Sequence, residues 1–367
     1  MRIMRKSALV LALGLLAVFT GLSAAQDPSE RPSAGDSTGL ALTSTGAVLT
    51  PKEQPLAGVR RVLFLGDSIT YSGQYVEYLE AYLRTSQPSL RCEFLNLGLP
   101  SETVSGLSEP GHAGGAFPRP DLHERLERVL ERTRPDLIVA CYGMNDGIYY
   151  PFSPARFQKY QDGIRRLRER AAAIGAPVLH VTPPVFDPEP IRSNTLPAGL
   201  AEYRQPYEGY DDVLARYAEW LLARRADGWD VVDVHGPMKH FLTESRRRDP
   251  RYRLADDGVH ANATGHWLMA REILRHWGVR DPALAAAVNG EKVLARFPHG
   301  PAVLKLVQQK QRLLKDAWLT GTGHKRPGMN HGLALDEARR QADRLDSDIL
   351  ALLDEDSSRL NREKREK

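Results

Sequence analysis

Five short, mainly apolar runs punctuate the middle of this chain: Val62–Leu65, Cys92–Leu97, Leu137–Cys141, Val178–Thr182 and Val231–Val234. Runs of this length without polar alternation predict strands buried on both faces, and such strands need a parallel sheet with helices on each side. The intervening sequence supplies the helices. They are expected in an amphipathic stretch carrying Tyr75, Leu79, Tyr82 and Leu83, from Asp121 to about Thr133, from about Pro154 to Ile174, near Tyr210–Arg225, and over Ala263–Trp277. The expected fold is therefore α/β, a doubly wound three-layer sandwich. Its five-stranded parallel sheet should take the flavodoxin-like order 2-1-3-4-5, with chemistry at the carboxyl ends of the strands.

The ends of the chain differ from this core. Arg2, Arg5 and Lys6 precede an apolar run from Ala8 to Leu22, and Ser23-Ala24-Ala25 follows. That order predicts a signal peptide over residues 1–25, cut after Ala25, and hence a secreted or periplasmic protein. The apolar run is shorter than the ~20 residues a spanning helix needs, and no later segment is long and apolar enough, so no stable membrane insertion is expected. Residues 26–55, rich in Ser, Gly, Pro and Thr, read as a flexible linker, and residues 56–280 as the α/β domain. Beyond it, Ala283–Leu294, Ala302–Trp318 and Leu335–Leu353 read as helices of an appendage over 281–353, with Thr320–Gly332 as a loop. That loop is expected either at the rim of the functional site or far from it. The charged tail 354–367 is expected to fray. The formal net charge is +4, of which the three basic residues before the apolar run supply +3, so no nucleic-acid partner is expected. Cys92 and Cys141 fall on strands separated by a third, about 10 Å apart, and are expected as buried free thiols.

Four places at strand ends or before a helix carry candidate chemistry. Gly66-Asp67-Ser68-Ile69-Thr70 follows the first strand and places a hydroxyl in a turn whose backbone N–H groups can bind an oxyanion; a plain turn with cap residues is the alternative. Asn96-Leu97-Gly98 ends the second strand and offers another backbone donor. Gly143-Met144-Asn145-Asp146 ends the third, with Asn145 either a turn residue or an amide facing the same crevice. Asp257-Gly258-Val259-His260 precedes the last helix, and its three-residue spacing lets one loop deliver both a base and the carboxylate that orients it.

Taken together and in this order, Ser68, Gly98, Asn145 and His260 match the marker residues of the SGNH (GDSL-type) hydrolase family, which the chain resembles over about Arg60–Trp277. The resemblance implies a serine esterase. Ser68 would attack an ester carbonyl, with His260 as base and then acid and Asp257 fixing the imidazole. The N–H groups of Ser68 and Gly98 and the amide of Asn145 would form the oxyanion hole. It implies no cofactor and no metal. An α/β-hydrolase is disfavoured because Thr70 stands where its Gly-x-Ser-x-Gly elbow needs the last glycine. One departure from the family pattern is Leu99-Pro100-Ser101, where a second glycine often follows the first, so the loop path after Gly98 is open.

Weaker candidates surround these. Asp67, His112 and Tyr149 are candidate substrate contacts, and Arg119 shares the loop of His112; a solvated loop is the alternative for both loop residues. Tyr149 and Tyr150 can stack on a sugar ring or simply pack. His180 reads as a satisfied core histidine, and His266 with Trp267 as helix packing. Asn262 reads as a helix cap, although Asn262-Ala263-Thr264 also fits a glycosylation sequon. The loops Leu99–Pro120, Pro183–Pro206 and Thr320–Gly332 should set specificity. They hold few large apolar side chains, which speaks against a long acyl chain. With the resemblance, this makes the expected partner a small-molecule or polysaccharide ester, an acetylated carbohydrate foremost. A lipase or lysophospholipase, and a carbohydrate-binding protein with little turnover, are the alternatives.

Overall fold

The computed structural model describes residues 56–365, with side chains to residue 354; the expected signal peptide and linker lie outside the described residues. The sheet holds five strands, β1 (Arg61–Gly66), β2 (Glu93–Asn96), β3 (Leu137–Cys141), β4 (Val178–Val181) and β5 (Asp230–Val232), in the order β2-β1-β3-β4-β5. All neighbours are parallel, with Leu63 opposite Leu95 on one side and Ile138 on the other. Every residue of β3 is buried, as the absence of polar alternation requires of strands covered on both faces. Cys92 and Cys141 are buried free thiols.

The helices are α1 (Ser68–Ser72), α2 (Gln74–Ser86), α3 (Leu122–Thr133), α4 (Pro154–Ala173), α5 (Tyr210–Ala223), α6 (His235–Arg248), α7 (Ala263–His276), α8 (Pro282–Ala286), α9 (Gly290–Leu294), α10 (Gly300–Thr322) and α11 (Leu335–Arg365). Their starts follow capping chemistry. The side chains of Asp67, Asp121, Ser153 and Asn262 accept the backbone N–H of Ile69, His123, Arg156 and Gly265. None of the described helices is long and apolar enough to cross a membrane.

Four features depart from the sequence reading. Helix α6 has no counterpart in it. The helix expected over Ala283–Leu294 is two, because Ala287 is extended and Asn289 caps a new start by accepting Lys292 N–H at 3.0 Å. Helix α11 continues through the charged tail to Arg365, and no Gly or Pro after Gly332 interrupts it. The loop expected from Thr320 begins at Gly323, which caps α10 in the left-handed conformation.

Helix α2 is not the half-exposed amphipathic helix its spacing implies: every residue from Tyr75 to Thr85 is buried. Helices α7 and α10 both pack against it, and α10 also reaches β2 and α3. Burial there takes in charges. Glu80 pairs with Lys310 Nζ and accepts Gln311 Nε2 at 2.6 Å; Lys310 also reaches Asp346 of α11 at 2.8 Å, and Arg84 meets the same Asp346 oxygen at 3.1 Å. Buried charges persist only when paired in this way, and the network ties α10 and α11 to α2.

Candidate active site

Strand β1 ends in Gly66, where a Cβ would lie 2.7 Å from the Cys141 carbonyl oxygen and closer still to Thr70 Oγ1. Only glycine lets the chain turn so tightly into α1. Asp67 caps that helix through Ile69 N–H at 2.9 Å, and Ser68 is its first residue, where a backbone N–H has no intrahelical acceptor. Asp67 is buried. Burial foremost, with the nearby charge of Asp146, pushes its carboxyl up to about 7 against the opposing Ile69 N–H bond.

His260 arrives from the loop before α7. Its Nε2 lies 2.8 Å from Ser68 Oγ and its Nδ1 2.5 Å from Asp257 Oδ2. The other Asp257 oxygen accepts the backbone N–H groups of Val259 at 3.0 Å and His260 at 2.8 Å. Although partial burial pushes Asp257 up, these bonds from His260 and Val259 hold its carboxyl below the usual range. Gly258, with φ of 77°, makes the tight loop possible. Asp256 instead faces solvent beside Arg253 at 3.3 Å. The Asp257–His260–Ser68 chain is open to solvent, with the His260 and Asp257 side chains 51% and 55% exposed.

The second block lies flat on α1. A Cβ on Gly98 would fall 2.4 Å from Tyr71 N, which explains glycine there. Its N–H donates to Asn96 Oδ1 at 3.0 Å, while Asn96 Nδ2 donates to Thr70 O at 2.7 Å. After Gly98, Leu99 N–H bonds the Gly66 carbonyl at 2.9 Å, and Ser101 takes the left-handed conformation at φ 68°. A serine thus makes the turn for which a glycine is the less strained choice. The loop is pinned by Glu102, fully buried, which receives a two-bond fork from Arg125 at 2.6 and 2.8 Å and the Tyr142 hydroxyl at 2.7 Å.

Asn145 follows β3. Its Nδ2 donates to the Glu102 carbonyl at 3.2 Å; its Oδ1 accepts Arg119 Nη1 at 3.0 Å and the Tyr149 hydroxyl at 3.2 Å. Arg119 is buried, not part of a solvated loop, and is held by Glu109 through Nε and Nη2, each at 2.7 Å. His112 also faces Glu109, at 3.4 Å, with its ring against Phe117. Tyr149 stacks on Tyr210 at 4.8 Å between ring centroids and sits at φ 58° next to Ile148 at 49°, two consecutive non-glycine residues in the left-handed region. A cleft of about 930 Å³ adjoins this corner, lined among others by Glu109, Arg119, Tyr149, Tyr150, Tyr203 and Arg204.

The C-terminal loop does reach this region: Arg326 Nε donates to the Pro100 carbonyl at 2.9 Å, and its guanidinium lies 5.2 Å over the Phe117 ring. His180 is a core residue but not a satisfied one. Both ring nitrogens lack a hydrogen-bond partner, burial pushes it down to about 3, and the neutral ring stacks on Trp229 at 5.0 Å. His266 bonds Ser72 Oγ at 2.9 Å and stacks on Tyr75, as packing requires. Asn262 caps α7. Among the described residues no cluster of three or more His, Cys, Asp or Glu could hold a metal ion. Glu109 and Lys315 had no signal in the sequence, whereas Arg326 belongs to the basic cluster His324-Lys325-Arg326 of the Thr320–Gly332 loop. Glu109 forms no motif with its loop neighbours, and Lys315 acts through contact with the distant Tyr71.

No curated protein matches this sequence. Among solved structures, a gut microbial diltiazem-metabolizing enzyme is 21% identical with a TM-score of 0.46, covering 60% of this chain; the chain spans 47% of that enzyme's length. An acetylxylan esterase from Geobacillus stearothermophilus is 20% identical with a TM-score of 0.45, covering 60% of this chain and 95% of the esterase. A GDSL-like lipase from Bacteroides thetaiotaomicron is 18% identical with a TM-score of 0.38, covering 62% and 91%. The model of the GDSL-like Lipase/Acylhydrolase family matches residues 64–268, which contain the carboxyl end of β1, the other four strands and all four marker residues, and the chain belongs to that family.

Proposed function

We propose that this member of the family is an exported serine esterase, its leader cut after Ala25, that removes short acyl groups, acetyl foremost, from carbohydrate hydroxyls. The observation that carries the serine mechanism is the unbroken hydrogen-bond chain from Asp257 through His260 to Ser68 Oγ. His260 Nε2 takes the Ser68 proton as Oγ attacks the ester carbonyl, and Asp257 stabilises the imidazolium so formed. The tetrahedral oxyanion is met by Asn145 Nδ2 and by the backbone N–H groups of Ser68 and Gly98, the latter exchanging Asn96 Oδ1 for the stronger acceptor. His260 then protonates the leaving alcohol. Water, deprotonated by His260, releases the acid and restores Ser68.

Two features support the substrate class. Ile69, Leu97 and Met144, apolar residues of the first three marker blocks, are packed into the core, which leaves their side chains unavailable to line a long acyl channel. The cleft beside Asn145 combines tyrosine rings with Arg, Glu and Gln side chains, the mixture that suits a ring carrying many hydroxyls. The test is kcat/KM for acetyl, butyryl, octanoyl and palmitoyl esters of one leaving group, with acid release from acetylated oligosaccharides. Rates should fall steeply after butyryl. A true lipase would gain ~0.8 kcal/mol per buried methylene, so an optimum at octanoyl or longer would overturn the reading.

A further inference from the structure

An asparagine amide is useful to an oxyanion only if its NH₂ end, not its oxygen, faces the reacting carbonyl. The two ends are nearly the same shape, so the surroundings must choose. Around Asn145 they do. Two donors converge on Oδ1, Arg119 Nη1 at 3.0 Å and the Tyr149 hydroxyl at 3.2 Å, and one acceptor, the Glu102 carbonyl, faces Nδ2 at 3.2 Å. The flipped amide would set its NH₂ end against the Arg119 guanidinium, which can only donate, and its oxygen against a carbonyl, which can only accept. In the observed orientation both oxygen lone pairs and one N–H are used, leaving one N–H over.

We propose that Arg119 is a positioning residue for the oxyanion donor: locked by Glu109, its guanidinium fixes which way the Asn145 amide faces and polarises the remaining N–H toward the reacting carbonyl. The inference rests on Asn145 being that donor. The fork between Arg119 and Glu109 spends Nε and Nη2, each at 2.7 Å, and so aims Nη1 at Asn145. The Arg119 backbone N–H is held by Ser108 Oγ at 2.9 Å, and the guanidinium lies 5.4 Å over the Tyr149 ring. The contact is therefore fixed at both ends and shielded from water. A cation on the amide oxygen draws electron density from the amide nitrogen, and charge-assisted, coupled hydrogen bonds of this kind are stronger than isolated neutral ones. The backbone strain at Ile148 and Tyr149 has the same destination, since it delivers the second donor, the Tyr149 hydroxyl, to Oδ1.

The test is a mutant cycle on kcat. Removing the pair together, as Arg119→Met with Glu109→Gln, avoids stranding a buried charge. In the wild-type background this change should lower kcat by at least about tenfold, a part of the 10²–10³ that a whole oxyanion donor supplies. In an Asn145→Ala background it should cost almost nothing, because the group it acts through is gone. Tyr149→Phe deletes only the lesser donor and should show a smaller loss that vanishes in the same background. Equal losses with and without the Asn145 amide would overturn the proposal while leaving Asn145 as oxyanion donor. An Asn145→Ala enzyme with wild-type kcat would remove the oxyanion reading itself and this inference with it.

Discussion

Lys315 of α10 donates from Nζ to the Tyr71 carbonyl at 2.6 Å and rests 4.0 Å from the centroid of the Tyr71 ring. Tyr71 lies on α1, the short helix that begins with Ser68. The C-terminal helices are therefore joined to the turn that presents the candidate nucleophile, and through Arg326 and Pro100 to the loop after Gly98. Their contribution reaches both halves of the site from behind.

Ser68→Ala and His260→Ala should each nearly abolish ester hydrolysis with the far-ultraviolet circular dichroism unchanged. The two groups share one proton transfer across 2.8 Å, so the double variant should lose little more than either single one. Turnover of an activated acetate ester by Ser68→Ala at a near wild-type rate would rule out the serine mechanism.

Asn145→Ala should depress kcat by about 10²–10³ and move KM far less, because the developing oxyanion needs the amide more than the ground-state carbonyl does. Steady-state kinetics on one soluble ester separate the two constants. A change confined to KM would make Asn145 a binding residue.

Lys310→Met should destabilise the protein by about 3–5 kcal/mol, since it strands Glu80 in the interface between α2 and α10. Denaturant titration at neutral pH measures this. Replacing Glu80 by Gln in the same chain should recover part of the loss. A Lys310→Met protein as stable as wild type would show that the C-terminal helices dock without the charge network.

Burial foremost pushes the Glu77 carboxyl from 4.5 up to about 7, against a side-chain bond from Gln308 and the nearby Lys315 charge. A carboxyl raised in the folded state favours folding most below its unfolded value. That contribution is lost as pH climbs through about 7. Glu77→Gln should therefore flatten the decline in unfolding free energy between about pH 4.5 and 7 relative to wild type. Parallel curves for the two proteins across that window would exclude this role for Glu77.

The strands, their order and the placement of Ser68, Gly98, Asn145 and His260 at one edge were legible because they follow local rules. A mainly apolar run without polar alternation must be covered on both faces, and right-handed crossovers leave few orders open. The spacing of Asp257 and His260 is likewise local, and the two meet at 2.5 Å. The boundaries that failed, such as the break at Ala287 and the unforeseen α6, depend on which side chains find partners elsewhere.

By itself, then, the sequence determined what is written in short-range pattern: a parallel α/β sheet and the candidate catalytic residues along its carboxyl edge. Only the tertiary structure decided how those residues are held. Arg119 read as a loop residue until Glu109 and Asn145 closed around it, and α2 read as amphipathic until α10 covered its polar side with Lys310 and Gln311. Glu80 and Lys310 lie 230 positions apart. A buried charge pair between such distant segments has no periodicity to announce it. It exists only because folding removes both groups from water and leaves each as the other's partner.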